Sequence, residues 1–371
     1  MTFVAASKGL RPLAATLRRA RFVVAIGAIW FACTATSAAQ NPKRLYQPWY
    51  QRFIPQRCCR EYWVVNARQV SDCESLQNGF ERLTYWKYDD VKGWIQYRRE
   101  QFVAAMDPSL PTTFFIHGSF LNHKWAVRSG WRCYRRIGGC APGFRLVLWS
   151  WPAERIRRMN AIDNFRAKMV RSERQGYYLA ALIDQLDPDL PLSLAGHSIG
   201  CRTACAALDG LACGEVAGEP LPAPSFTCHR PIQACLLAPA FDPRYLWPKG
   251  RYSYALSQLD RLLVVYNPDD RMMRLYSRFI SPWVLGRCGM PEPERLGVNQ
   301  QKLVQVCSQN WVGHDHRFSR YANSRKGRFW LQRYFFYQDA STGIQVTSDR
   351  RSSNSRGVFT RFWPDSQRAF N

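Results

Sequence analysis

Residues 196–200, Gly-His-Ser-Ile-Gly, constrain the fold of this chain most strongly because of the segments on either side of them. Residues 190–195 form a short apolar run that is typical of a buried strand, and residues 201–208 are mostly small and compatible with a helix. A serine at a tight strand-to-helix turn between glycines has an exposed Oγ, and the next amide can stabilise an oxyanion. The pattern predicts a nucleophile, Ser198, with the Ile199 amide as one oxyanion donor.

Apolar runs alternate with helix-compatible stretches along the middle of the chain. The predicted helices include residues 165–186 and 201–208. The predicted strands are residues 112–116, 144–149, 190–195, 232–237, 262–266 and 303–307. Such an alternation is typical of a mostly parallel sheet with helices on both faces. Two aromatic-rich runs, residues 61–66 and 80–86, predict a strand-rich N-terminal extension, followed by a helix or irregular stretch near 92–106.

The predicted α/β domain spans residues 61–340, and both ends of the chain are expected to lie outside it. Residues 1–39 contain a basic region, about eleven apolar residues and a Ser-Ala-Ala site, an order typical of a cleaved secretory signal peptide. An uncleaved signal anchor is the alternative. Residues 40–60 predict an irregular arm, and residues 341–371 a flexible tail rich in Ser and Arg. We expect an exported protein, periplasmic or extracellular.

The cysteine content agrees with export. The chain has 13 cysteines, and loss of Cys33 with the signal peptide leaves an even set, which in an exported protein predicts disulfides. The candidates for bridges are Cys58, Cys59 and Cys73 in the N-terminal extension, and Cys133 with Cys140 around a Gly-rich loop. The alternative is reduced, buried thiols, above all at Cys201 and Cys205, one helical turn apart behind Ser198. No CxxC pair occurs, so no structural zinc site is expected.

The charge balance is strongly basic. The net charge is +25, and removal of five basic residues with the signal peptide leaves +20. Such a surface attracts polyanions, including an anionic component of the cell envelope. The arginines are scattered and no nucleic-acid-binding module is recognisable, so we expect no specific nucleic-acid partner. Nothing in the sequence calls for a cofactor.

Candidate acids follow the strands that come after Ser198. In a parallel sheet, functional groups gather at the carboxyl ends of the strands. The strand at 262–266 is followed by Asp269 and Asp270, just past its end. Asp242, after the strand at 232–237, is the alternative.

Candidate bases lie in the loop after the last predicted strand. His229 precedes its strand and is expected at the opposite edge of the sheet, whereas His314 and His316 follow residues 303–307. The two are separated by one residue, so only one is expected to reach Ser198. Gly313 permits a tight bend before His314, which favours His314 as the base. The resulting order is Ser, Asp, His.

A second oxyanion donor is expected in the loop after the first parallel strand. Residues 114–120 read as a strand followed by His-Gly and then Ser119 and Phe120. Backbone amides near these two residues are expected to meet that of Ile199 at one point.

Five segments together resemble the α/β-hydrolase superfamily, and in particular its uncharacterised exported bacterial members. They are residues 115–118, 149–152, 196–200, 267–271 and 313–314. In such relatives the acid commonly stands before a basic or small residue and an apolar pair, which favours Asp270. The base commonly follows glycine, as His314 does, while His316 fits a second pattern, Asp-His-x-aromatic. The resemblance implies an ester or related acyl bond in a small-molecule or lipid substrate.

Three hypotheses about function follow. The first is an exported carboxylesterase- or lipase-like serine hydrolase that acts through an acyl-enzyme, with Ser198, Asp270 and His314 or His316. The second is a non-catalytic protein of the same fold that binds an anionic envelope component. The third takes His314, Asp315 and His316 as metal ligands, but no further histidine cluster exists to complete such a site.

Overall fold

The computed structural model describes residues 60–71, 75–138, 143–222 and 230–337. The predicted signal peptide, nearly all of the predicted arm and the predicted tail lie outside these ranges. Arg60, the last residue assigned to the arm, begins the first strand. The helices described are not long and apolar enough to cross a membrane.

Strands and helices alternate along most of the described chain. The strands are β1 (Arg60–Asn66), β2 (Thr84–Asp89), β3 (Gly93–Tyr97), β4 (Thr112–Ile116), β5 (Phe144–Ser150), β6 (Leu192–His197), β7 (Glu215–Val216), β8 (Glu219–Pro220), β9 (Ile232–Leu237), β10 (Arg261–Tyr266) and β11 (Leu303–Cys307). The α-helices are α1 (Leu76–Glu81), α2 (Arg99–Ala105), α3 (His123–Ile137), α4 (Ala161–Asp184), α5 (Gly200–Cys213), α6 (Arg271–Phe279), α7 (Leu285–Cys288), α8 (Gln309–Val312), α9 (Phe318–Asn323) and α10 (Arg325–Phe335). Three 3-10 segments cover Pro243–Leu246, Ala255–Gln258 and Pro293–Lys302.

Nine strands form one sheet in the order β11-β10-β9-β6-β4-β5-β1-β2-β3. The strands from β11 to β1 are parallel to their neighbours, and β2 and β3 form an antiparallel edge. The predicted fold class is confirmed: the chain is an α/β protein with a mostly parallel sheet and a strand-rich N-terminal region.

Helices cover both faces of the sheet, as neighbouring residues of β5 show. Side chains alternate between the two faces along a strand. Trp149 donates a 2.9 Å hydrogen bond to Gln175 of α4, whereas Leu148 packs against Gly130 of α3. Helices α4 and α5 pack on one face, and α3, α9 and α10 pack together on the other. Both faces of the central strands are therefore covered, which explains their mostly apolar sequences.

The N-terminal region departs from the sequence-based expectation. Residues 80–86 read as one strand, but Phe80 lies in α1 and the strand begins at Thr84. The reason is local, because Ser75 Oγ caps α1 by accepting the amide of Asn78, and the helix buries Phe80. Residues 92–106 contain both β3 and α2.

The structure shows no disulfide among the residues it describes. The seven cysteines there are free thiols, including Cys133, Cys201 and Cys205. Burial raises the pKa of all three, so they behave as inert core residues. The other cysteines of the predicted bridges lie outside the described residues. They are Cys58, Cys59, Cys73 and Cys140.

Candidate active site

Ser198 occupies a strained turn at the carboxyl edge of the sheet, between β6 and α5. Its φ of 56° is in the left-handed region, which costs a residue with a side chain about 1–2 kcal/mol. The flanking glycines are required by close contacts. A Cβ at Gly196 would lie 2.6 Å from Cys201 Cα, and one at Gly200 would lie 2.5 Å from the carbonyl oxygen of Ile116. The turn holds Ser198 at the ends of β6 and β9, where its amide donates to the Leu237 carbonyl at 2.9 Å.

Asp270 follows β10 and caps helix α6. Its Oδ1 accepts the amides of Met272 (2.8 Å) and Met273 (3.0 Å), and its side chain is fully buried. Its Oδ2 lies 2.7 Å from Nδ1 of His316. One carboxylate oxygen therefore fixes the start of the helix, and the other orients an imidazole.

His316 lies in the loop after β11 with its side chain 17% exposed. Because Nδ1 faces Asp270, Nε2 is the nitrogen left to interact with a hydroxyl group. The ring centre is 5.0 Å from that of His197, the residue directly before Ser198. The loop thus brings an oriented imidazole beside the turn that carries Ser198.

His314 is placed differently. Gly313 adopts the expected bend, with φ of 65°, but the imidazole that follows is exposed and its Nδ1 lies 3.2 Å from the carbonyl oxygen of Asp269. The His314 carbonyl accepts the Arg271 amide at 3.3 Å, so its backbone helps to attach the loop. The geometry therefore does not support the preference for His314, since its ring contacts a backbone carbonyl whereas His316 contacts the carboxylate of Asp270.

The two alternative acids have other partners. Asp269 accepts a hydrogen bond from Gln309 at 2.8 Å. Asp242 binds Arg244 and Ser281, and these groups hold its pKa below the ordinary value although burial opposes this. Neither carboxylate contacts a histidine in the part of the chain that the structure describes.

The loop after β4 lies directly against Ser198. A Cβ at Gly118 would lie 3.2 Å from Ser198 Cβ. The amide of Phe120, predicted as an oxyanion donor, instead donates a 2.6 Å hydrogen bond to the carbonyl of Ala153. This corrects the prediction for Phe120, because its φ of 68° turns the N–H toward the β5–α4 connection. The amides of Ser119 and Ile199 remain as the candidate donors.

His117 is hydrogen-bonded to the backbone of the loop after β4. Burial lowers its pKa to about 3, so the ring is neutral. Its Nδ1 lies 2.8 Å from the carbonyl of Gly118, and Nε2 accepts the Trp151 amide at 3.3 Å. The indole of Trp151 donates to the carbonyl of His117 at 2.8 Å. The segments 115–118 and 149–152, selected by resemblance, are thus joined in one network.

His197 is a residue of the site that the sequence did not single out. It is buried and neutral, with its pKa lowered to about 3 mainly by burial. Its Nε2 donates to the carbonyl oxygen of His316 at 2.9 Å. The residue before Ser198 therefore anchors the loop that carries His316. Its position inside the Gly-x-Ser-x-Gly segment was the available signal.

Lys168 is a second residue near the site that the sequence did not single out. It lies in α4 with no exposed surface, and its Nζ is 3.4 Å from the ring centre of Phe120. Nζ has no hydrogen-bond partner among the described residues. Burial lowers the pKa of this amine to about 7, and Arg171 contributes to the shift. A lysine within a helix gives no sequence signal of burial.

The structure does not favour the metal hypothesis. Asp315 is paired with Arg317 and Arg320, whereas His314 and His316 face Asp269 and Asp270. The described ranges contain no group of three or more His, Cys, Asp or Glu residues arranged to hold a metal ion.

Comparisons with known proteins give a limited result. No protein-family model matches the sequence, and no curated protein sequence is significantly similar to it. Among solved structures, the chain is similar to an inhibited esterase B from Lactobacillus rhamnosis, with 13% identity, a TM-score of 0.41, and coverage of 84% of this chain and 95% of the other. It is also similar to Zea mays acyl-protein thioesterase 2, with 14% identity, a TM-score of 0.35, and coverage of 61% and 95%. At these scores the likeness does not bear on function.

Proposed function

We propose that this chain is a serine hydrolase that cleaves an ester-type acyl bond, with Ser198 as nucleophile, His316 as general base and Asp270 as the orienting acid. The observation that carries the proposal is the 2.7 Å contact between Asp270 and His316 beside the strained turn of Ser198. A nucleophile, a base and a group that orients the base are the components of acyl-transfer catalysis.

His316 Nε2 takes the proton of the Ser198 hydroxyl as Oγ attacks the carbonyl carbon of the ester. The tetrahedral oxyanion is stabilised by the amides of Ile199 and Ser119, whose N–H dipoles are fixed by the surrounding backbone. His316 then returns the proton to the leaving alcohol, and an acyl-enzyme remains on Ser198. A water molecule, deprotonated by the same imidazole, releases the acid and restores Ser198.

The choice of His316 over His314 follows from their partners. A base needs its Nδ1–H held by an acceptor so that Nε2 is free to take a proton, and the buried carboxylate of Asp270 provides that acceptor. Among the described residues, the hydrogen-bond partner of the exposed His314 ring is a backbone carbonyl. The helix cap formed by Asp270 prevents the carboxylate from turning away, which keeps His316 in one orientation.

Export is part of the proposal and rests on residues 1–39 alone. N-terminal sequencing of the protein recovered from cells should begin near Gln40. Recovery of a soluble protein that retains Met1 would contradict both the signal peptide and the disulfides expected with it.

A fluorophosphonate probe tests the nucleophile directly. The probe should label wild-type protein at Ser198, and Ser198→Ala should abolish both the labelling and the hydrolysis of p-nitrophenyl esters, with a loss of about a thousandfold or more. Ser257→Ala is the matched control because the exposed Ser257 hydroxyl donates to the nearby carbonyl of Tyr254 and lies outside the proposed triad. Failure of the folded wild-type protein to react would refute the proposal and favour the non-catalytic binding protein.

A further inference from the structure

A cavity of about 450 Å³ opens at the carboxyl edge of the sheet, a size typical of small-molecule sites. Four of its walls are the middle of α4, the first turn of α5, the connection between β9 and β10, and α6, and Ala217 between β7 and β8 completes the lining. Each of these walls contains charged or aromatic side chains that the proposed triad does not use.

Three walls of the cavity belong to segments that adjoin Ser198 or Asp270 in the chain or through a backbone hydrogen bond. Arg202 follows Ser198 by four residues, about one helical turn. Asp242 comes two residues after Ala240, whose amide donates to the Ser198 carbonyl at 3.2 Å. Tyr276 belongs to the helix that Asp270 caps. A substrate bound at Ser198 can therefore extend into this space.

The lining carries an excess of positive charge. Its charged residues are Arg166, Arg174, Arg202, Arg251, Glu173 and Asp242. Their formal charges sum to +2. Asp242 is already held by Arg244, with 2.6 Å between Nη2 and Oδ2, so its charge is compensated from outside the cavity. Glu173 is then the carboxylate that faces the lining arginines.

Arg202 is the buried member of this group, with 4% of its surface exposed. Its Nη2 donates to Glu173 at 2.6 Å, but the same carboxylate oxygen also accepts from Tyr252 at 2.5 Å and Arg251 at 3.3 Å. Nε of Arg202 has no partner among the described residues. One carboxylate thus serves two guanidinium groups, and a buried N–H donor is left unsatisfied, which is costly.

We propose that this cavity is a specificity subsite that binds a carboxylate of the ester substrate through Arg202 and Arg251, so that the preferred substrates are anionic esters. A carboxylate there satisfies donors that the protein leaves open, and a guanidinium group binds it with charge-assisted hydrogen bonds. The apolar part of the substrate packs against Tyr245, Tyr276 and Met169. The inference rests on the proposed esterase function.

Two pairs of esters test the preference. The p-nitrophenyl esters of adipate and of 6-methylheptanoate have the same shape and differ by a carboxylate on the acyl chain. The butyrate esters of 4-hydroxybenzoate and 4-isopropylphenol place the same difference on the leaving group. Wild-type kcat/KM should favour the anionic ester of one pair by about tenfold, the discrimination expected from one charge-assisted contact.

Arg251→Gln is the informative variant, because Glu173 keeps Arg202 and Tyr252 as partners and the fold is preserved. It should lower kcat/KM for the favoured anionic ester about tenfold and change the neutral partner less than threefold. Arg295→Gln is the matched control, since Arg295 is also half exposed, pairs with one carboxylate and lies over an aromatic ring. It should change neither ester. If neither pair distinguishes Arg251→Gln from Arg295→Gln, the subsite does not exist.

A binding measurement separates this inference from the esterase proposal. Adipate should bind Ser198→Ala protein by titration calorimetry, and Arg251→Gln should weaken that binding about tenfold where Arg295→Gln does not. Adipate binding to Ser198→Ala protein, together with wild-type protein that neither hydrolyses any of the four esters nor reacts with fluorophosphonate, would refute the catalytic proposal and keep the carboxylate site. Hydrolysis of neutral esters without adipate binding would refute the carboxylate site and keep the catalytic proposal.

Discussion

Lys168→Met should stabilise the protein at neutral pH, and the gain should shrink as the pH rises. Burial lowers the pKa of this amine from 10.5 to about 7, and the charged groups that act on it are Arg171, Glu154 and Arg155. Between these two pH values the unfolded chain binds a proton that the folded protein does not, so folding becomes more favourable as the pH increases.

The magnitude follows from the same two values. With a folded pKa of about 7 and an unfolded pKa of 10.5, Lys168 costs the fold about 4 kcal/mol at pH 7 and about 2 kcal/mol at pH 9. The ring of Phe120, 3.4 Å from Nζ, favours the ammonium by about 1–2 kcal/mol and reduces the net penalty. Lys168→Met keeps the length of the chain, so it should raise the free energy of unfolding by about 2 kcal/mol or more at pH 7.

Urea unfolding of both proteins at pH 7, 8 and 9, followed by tryptophan fluorescence, measures this difference. The gain from Lys168→Met should fall by about 1–2 kcal/mol between pH 7 and pH 9, because the ring of Phe120 stabilises the ammonium and narrows the difference between the folded and unfolded pKa. Lys326→Met, at an exposed position in α10, should show no such trend. A gain that stays constant over this range would mean that Lys168 remains protonated in the fold, and the reasoning would be wrong.

The remaining predictions concern the proposed triad and its supports. His316→Ala should lower kcat for ester hydrolysis at least a hundredfold with little change in KM, and His314→Ala tenfold or less; reversed results would make His314 the base. Asp270→Asn should lower kcat about a thousandfold or more and reduce the free energy of unfolding in urea by about 0.5–1 kcal/mol, because the amide can still cap the helix but the negative charge at its N-terminus is lost. His197→Phe should lower kcat about tenfold while fluorophosphonate still labels Ser198, because only the anchor of the His316 loop is lost; unchanged kcat would remove that role. Gly196→Ala should lower the melting temperature by several degrees, since the new methyl group meets the backbone of Cys201 at 2.6 Å.

Much of the fold follows from the sequence because buried parallel strands are recognisable as short, mostly apolar runs. The runs at 112–116, 232–237 and 303–307 coincide with β4, β9 and β11 residue for residue. β4 and β9 are mostly apolar and fully buried because both faces of the sheet are covered there, whereas β11 at the edge of the sheet is only partly buried. The turn of Ser198 is equally local, since the two glycines and the strand that precedes them lie within ten residues.

The tertiary structure alone decides which residues meet at the site. Asp270 and His316 are 46 residues apart, and the bond that holds the His316 loop comes from His197, 119 residues away. Whether Gly313 turns His314 inward or outward depends on these distant bonds and not on the loop sequence.

The same reason explains the other misplaced and missed groups. The Phe120 amide donates to the carbonyl of Ala153, in the connection after β5. Lys168 is buried because α4 packs against the loop that carries Phe120. Apolar periodicity indicates which face of a helix or strand is buried. The direction of an N–H group, the partner of a carboxylate and the burial of one amine are set by contacts between distant segments, and a single sequence carries no pattern for them.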